Sequence, residues 1–382
     1  MTAMDPVGLS HRLPLFARVL FLACALVILA LCAPRAASAA NPPSKPPAQS
    51  AAGDKSAATE KASKSGKPVV TPTKGDESKI DADKLFGAIV KVATRAVPDA
   101  RSAATLGSER EGSGVLIGDN GLVLTIGYLI VEADEVKITD AKGRTLPAQV
   151  VGYDHASGFG LVRTLVPLDA TPVQLGDSSK SAERDPVLIA SASDDGAAFA
   201  WIVSKRGFTG NWEYQLESAL YTSPPTANWS GAALIDKDGK LIGVGSLIVR
   251  EANEEDPKLP GNVFVPIDLL KPILNDLVRE GHRAGPARPW LGVAADEVQG
   301  RLLVTRVSPD GPADRAGLQV GDIILGVGNE TVHSQAEFYK KVWGRGRAGD
   351  DIPLKVLQGV DVKDVKVHSI DRTQYFKPRS TI

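Results

Sequence analysis

The 382-residue chain has almost no cysteine, few aromatic residues and no charge of one sign to spare. Its two cysteines, Cys24 and Cys32, both fall in the first 32 residues, so no disulfide framework can hold the rest together. The 44 basic and 45 acidic side chains leave a formal net charge of −1, which supplies no global field for nucleic acid. Five histidines, His11, His155, His282, His333 and His368, are scattered along the chain. None clusters with cysteine at zinc-ligand spacing, so no structural zinc and no cofactor are expected. What the chain does have is turn-formers, 37 Gly and 26 Pro.

Arg12 and Arg18 precede an apolar run from Val19 to Cys32, and Ala37-Ser38-Ala39 follows with a small-x-small pattern. This order describes a secretory signal peptide over residues 1–39. The run is shorter than the ~20 residues of a spanning helix, and an uncleaved signal anchor is the alternative. Cleavage after Ala39 removes both thiols. Residues 40–80 are rich in Ala, Pro, Ser, Lys and Thr, without an aromatic residue, and read as a disordered tether.

From Asp81 the pattern changes. DADKLFGAIVKVATRAV reads as a short helix merging into a strand. Short strand-like runs follow at 114–117, 122–125, 135–139, 148–153, 160–163, 187–191, 200–205, 220–223, 232–235 and 241–247, punctuated by Gly, Asp and Asn. Such spacing predicts an all-β barrel or sandwich. Pro266-Ile267-Asp268 is expected to open a helix that ends near Gly281, and a basic connector follows. From Trp290 to Arg372 the runs 302–307, 322–327, 352–357 and 362–368, with helical SPDGPADRAGL and SQAEFYKKVW, predict a small α+β module.

Several motifs occur in a telling order: GSGVLI (112–117), VEADEV (131–136), VVGYDHASGFGLV (150–162), QLGDS (174–178), ANWSGAALIDKDGKLIGVGS (227–246), VPIDLL (265–270), WLGV (290–293), SPDGPADRAGL (308–318) and VGDIIL (320–325). Together they resemble the HtrA-type (high-temperature-requirement) serine proteases. The resemblance implies a mostly β fold, a trypsin-like double β-barrel over 81–281 and a PDZ domain over 290–372. It also implies an envelope location, peptide or unfolded-protein ligands and a trimer or a pairing with an active paralogue.

The chemistry-bearing positions depart from the family. Tyr128 holds the place of the catalytic His, and Gly158 that of the catalytic Asp. Ser230 keeps the nucleophile's place, but in NWSGAA, with Asn228 at the first oxyanion donor beside the backbone of Ser230. A serine hydroxyl needs a base with a pKa near the working pH, and tyrosine titrates near ~10. Loss of a triad His costs on the order of a millionfold in turnover. His155 is the one histidine in the barrel segment that stands near the altered motif, as a stand-in base or as an ordinary turn residue; Asp154 and Asp177 are available in name.

The PDZ resemblance assigns Trp290-Leu291-Gly292-Val293 to the loop whose N–H groups take a peptide's terminal carboxylate. Phe338 and Val342, at i and i+4, share a helix face and either line the pocket for a terminal side chain or belong to the core. Three readings follow: a pseudoprotease that binds peptide C-termini in protein quality control, an active serine endopeptidase with a non-standard base, and a regulatory or scaffold subunit of an active relative.

Overall fold

The structure is a computed structural model and describes residues 80–193 and 196–378. The signal segment, the tether to residue 79 and both cysteines lie outside the described residues. Asp81 caps helix α1 (Ala82–Gly87), its carboxylate accepting from the Lys84 N–H at 3.2 Å. The chain then passes into β1 (Ile89–Ala96), as the helix-then-strand reading expects.

Two six-stranded antiparallel barrels follow. The first contains β1, β2 (Glu109–Gly118), β3 (Leu122–Ile126), β4 (Ala133–Thr139), β5 (Thr145–Asp154) and β6 (Phe159–Thr164), in the order β1-β2-β3-β6-β5-β4. The second contains β7 (Pro186–Ala190), β8 (Ala197–Gly210), β9 (Tyr214–Ser223), β10 (Ala233–Ile235), β11 (Leu241–Val249) and β12 (Gly261–Pro266), and repeats that order. Closure leaves neither barrel an open sheet edge. β3 is buried along its whole length, whereas β4 alternates buried and exposed positions, as a strand with one wet face must. A continuous apolar core, including Leu124, Leu161, Val244 and Val263, crosses from one barrel to the other.

Helix α2 (Ala103–Leu106) lies between β1 and β2. Helix α3 (Leu274–Glu280) leaves the second barrel and stops at Gly281, whose φ of +79° gives the left-handed helix end. The last module is a sheet ordered β13-β14-β15-β17-β18. Its strands are β13 (Val293–Val298), β14 (Arg301–Val307), β15 (Ile323–Val327), β17 (Asp351–Gln358) and β18 (Asp361–His368), with β16 (Glu330–Thr331) paired to β15. Helix α4 (Pro312–Arg315) starts on proline at its first turn, where no N–H is missed. Helix α5 (Gln335–Gly344) is capped by Ser334, whose hydroxyl accepts from Glu337 N–H while Glu337 accepts from His333 N–H. A final turn of helix, α6 (Arg372–Tyr375), follows β18.

Three differences from the sequence reading bear on function. VPIDLL ends strand β12 and continues as a 3-10 turn, Ile267–Leu269, before α3 begins. WLGV runs into edge strand β13 and is not loop throughout. β8 and β9 also extend beyond Lys205 and Leu220, through GFTGNWEY, into a long two-stranded arm. Gly and Asn obscured that arm, but register pairs Phe208 with Leu216 and Gly210 with Tyr214.

Glu132 ties the first barrel to the end of the chain. It is 7% exposed and accepts from the N–H groups of Arg101, Ser102 and Lys377 at 3.1, 2.7 and 2.8 Å and from the Ser102 hydroxyl at 2.5 Å. Burial pushes its pKa up, but the Ser102 hydroxyl and the N–H donors outweigh burial and hold it below the ordinary 4.5. A carboxyl with a depressed folded pKa stabilises the fold above its unfolded pKa and loses that contribution as pH falls through the folded value. Glu132→Gln is therefore expected to cost about 1–3 kcal/mol near neutrality. In urea titrations, the gap between wild type and variant should shrink as pH drops below about 4.5.

Candidate functional site

The site begins where β3 ends. Ile126 leads into a 3-10 turn, Gly127–Leu129, at the floor of a cleft. Gly127 has to be glycine, because a Cβ there would stand 2.1 Å from the Tyr153 ring. Its N–H donates to the Gly158 carbonyl at 2.7 Å. Buried Arg110 grips the turn from the other side, donating to the carbonyls of Tyr128 at 3.0 Å and Val131 at 2.6 Å. The turn is rigid and aims Tyr128 across the cleft.

Two of the three positions that the sequence reading assigns to a triad meet. The Tyr128 hydroxyl lies 3.0 Å from Ser230 Oγ and 3.1 Å from the Ser246 carbonyl oxygen, with its proton shared between them. Burial pushes the phenol up to about 12, against a weaker pull from Ser230 and Trp229. The phenol is thus protonated at any physiological pH. With its own proton in place, the phenol is a hydrogen-bond donor here and no general base for the serine. This pair has the distance of a nucleophile and base with the polarity reversed.

The third position does not complete it. Gly158 has φ +85°, and its N–H donates to the Asp154 carbonyl at 2.7 Å. A Cβ at 158 would sit 3.0 Å from the Tyr214 hydroxyl, which itself donates to the Ser157 carbonyl at 2.7 Å. The Tyr214 hydroxyl thus occupies the space beside the Gly158 backbone.

The turn that carries Ser230 retains a tight geometry. The Ser230 carbonyl accepts from Ser113 N–H at 2.8 Å, and Gly231, at φ +70°, donates to the Gly245 carbonyl at 3.0 Å. A Cβ at 231 would fall 2.0 Å from the Ser113 carbonyl oxygen, so only glycine fits. The Asn228 N–H donates to Thr226 Oγ1 at 3.2 Å. The first of the two oxyanion donors expected from sequence is engaged inside its own turn.

Other expected stand-ins are engaged elsewhere. Asp154 accepts from Ser157 N–H and hydroxyl at 2.9 and 2.6 Å and from the Arg283 guanidinium at 2.7 and 3.2 Å. Asp177 caps the short turn after it through Ser179. His155 lines the same cleft as Tyr128 and Ser230 but is not hydrogen-bonded to Ser230; its ring sits 6.2 Å from that of Tyr153, and it also lines a small pocket with Glu213, Trp290 and Trp343. Burial drives its pKa down to about 4, so it is neutral at pH 7. Among the described residues, no group of three or more His, Cys, Asp or Glu side chains could hold a metal ion.

The cleft is an open cavity of about 740 Å³. Tyr128, Trp229 and Ser230 line the barrel side, and Trp290, Arg306 and Tyr375 line the opposite side. Trp290 and Arg306 belong to the sheet module and Tyr375 to the segment after it.

In the sheet module, Leu291, Val293, Phe338 and Val342 come together, all at most 2% exposed, within one apolar cluster. Phe338 and Val342 are core residues in this arrangement. Trp290 pairs its backbone with Ile370, and its ring packs at a tilt of 45° against Tyr375, with centroids 4.7 Å apart. The N–H groups of Leu291, Gly292 and Val293 converge at 2.9, 2.6 and 3.0 Å on the carboxylate of Glu213, at the tip of the β8–β9 arm. Burial pushes Glu213 up to about 7, opposed by those N–H groups and by Arg372. Sequence reasoning missed both Glu213 and its neighbour Tyr339. A single acidic residue in a turn carries no pattern, and Tyr339 reads as one more aromatic on a helix.

Residues 112–244 match the trypsin-like peptidase domain family and residues 289–368 the PDZ domain family. A probable periplasmic serine endoprotease, DegP-like, of Halomonas elongata is 28% identical over 271 residues, covering 67% of this chain and 55% of that protein. The serine endoprotease DegS of Escherichia coli K12 is 26% identical over 268 residues, covering 65% of this chain and 73% of that one. The chain thus spans about half the length of the DegP-like relative. Among solved structures, an HtrA-type protease AlgW with decapeptide is 21% identical, with a TM-score of 0.48 over 79% of this chain and 99% of that chain.

A phenol held at about 12 has nothing to gain from mild alkali. Ser230 labelling by a fluorophosphonate is therefore expected to stay at background between about pH 6 and pH 9. A labelling rate that rises through neutrality, as with an imidazole base, would contradict the site as described.

Proposed function

This chain belongs to the HtrA-type family, with a trypsin-like fold and a PDZ domain, and from that premise we propose that it is a pseudoprotease that binds polypeptide. The observation that carries the proposal is the Tyr128–Ser230 pair at 3.0 Å. Serine attack needs a proton acceptor at that place, and a phenol pushed up to about 12 is a proton donor. The orienting acid is replaced by Gly158 beside Tyr214. One oxyanion donor is spent on Thr226. Each loss alone is severe, and together they leave no route to an acyl-enzyme.

Binding is the activity that remains. The loop Trp290–Val293 presents three successive N–H groups to a carboxylate, which is the chemistry of peptide C-terminus capture. The ligand class is a polypeptide with a free carboxyl end, including unfolded chains with exposed ends. The signal-like first 39 residues support action in the bacterial envelope, as do relatives named as periplasmic. Protein quality control is the role that suits such a binder. The same apparatus suits a regulatory partner of an active relative, although no contact in this chain points to one.

An unfolded protein substrate should survive incubation with the purified protein as well as with Ser230→Ala. Ser230-dependent cleavage would overturn the pseudoprotease reading. Peptides with free carboxyl ends are expected to bind at least about tenfold more tightly than their amidated forms, which lack the charged acceptor. Equal affinity for the two would remove the carboxylate-capture reading.

A further inference from the structure

The carboxylate site of the sheet module is already full. Glu213 is 6% exposed and places Oε2 2.9 Å from Leu291 N, and Oε1 2.6 Å from Gly292 N and 3.0 Å from Val293 N. These are the donors that a peptide's terminal carboxylate would need, and Gly292, at φ +77°, is what lets the backbone curl around an anion. Two carboxylates cannot occupy one nest of three N–H groups. We infer that Glu213 is an internal pseudo-ligand: the β8–β9 arm occupies the carboxylate loop in cis, and a C-terminal peptide binds only by displacing it.

The arm is built for this. Glu213 stands at φ +57° in the tight tip between β8 and β9, a conformation that a non-glycine residue holds only when its surroundings fix it. Tyr339 on α5 does the fixing. Its hydroxyl accepts from Glu213 N–H at 3.1 Å and donates to the Gly210 carbonyl at 3.0 Å. Arg372 donates to the Trp212 carbonyl at 3.1 Å, and Asn211 donates to Asp296 at 3.0 Å. Every residue of the tip, 210 to 213, is thus tied to the module or to the chain after it.

The strand edge beside the loop is covered as well. β13 is an edge strand, and an added peptide strand would pair along it next to α5. The Gln335 side chain instead donates to the Ala295 carbonyl, and the Gln335 N–H donates to Glu297 at 2.8 Å. Beside Glu213, the pocket that includes His155, Trp290 and Trp343 leaves only about 10 Å³, room for a single water. A ligand therefore meets a closed site, and its apparent affinity is its intrinsic affinity reduced by the fraction of molecules whose arm is released.

This inference rests on the carboxylate-capture reading for its ligand, but the closed state can be tested without one. Hydrogen exchange at the amides of Leu291, Gly292 and Val293, measured on the whole protein, should be slow in the wild type. In Glu213→Ala these amides are expected to exchange about 100-fold faster, while core β3 amides are unchanged. Tyr339→Phe, which keeps the ring in the core and removes both arm bonds, should give an intermediate acceleration. Unchanged protection in Glu213→Ala would overturn the pseudo-ligand whatever the protein binds. With fluorescent peptides ending in an apolar residue, Glu213→Ala is expected to bind the free-acid form at least about tenfold more tightly than wild type does. Equal affinity of the two proteins overturns the displacement. Fast amides in Glu213→Ala with no preference for the free acid would leave the closed arm standing and remove the capture reading instead.

Discussion

One buried carboxylate organises the molecule. Glu213 leaves the second barrel at the end of a long hairpin and is received by three backbone N–H groups of the sheet module. Burying an ion without partners costs several kcal/mol, so the position is tolerable only because the loop satisfies it. Around that contact the other ties accumulate: Tyr339 on the arm's backbone, Arg372 on Trp212, and the chain end on Glu132. The two barrels share an apolar core, while the sheet module and residues 369–378 are tied to them by these polar contacts.

In the cleft, Tyr128, Ser230 and the tight turn at Gly231 form a close-packed, hydrogen-bonded group. Gly231 is retained for packing, since the Ser113 carbonyl leaves no space for a Cβ. Ser230 is retained as a partner for a phenol. Burial keeps the phenols of both Tyr128 and Tyr214 protonated. The β8–β9 arm projects from the second barrel.

Much of the fold was legible because local rules and long-range packing agreed. Short apolar runs separated by Gly, Asp and Asn turns fall on strands, and the order of the motifs pointed to two barrels and a PDZ-type module. Neighbouring motifs drew attention to Tyr128, Gly158 and Ser230, and the structure brings Tyr128 and Ser230 into hydrogen-bond contact. The arm was not readable. Its outer half, GFTGNWEY, has glycines and a polar tip, and its strands are held by tertiary contact with α5 and not by local propensity. Glu213 acquires its meaning only from residues 78 to 80 positions further along the chain. Phe338 and Val342 were legible as one helix face, but whether a face lines a groove or a core depends on what packs against it.

A crystal structure of the protein with a bound free-acid peptide tests the central claim most directly. The account predicts the peptide's terminal carboxylate on the N–H groups of Leu291, Gly292 and Val293, with Glu213 released into solvent and the Tyr128–Ser230 contact intact. A peptide seated elsewhere with Glu213 still in the loop would contradict it.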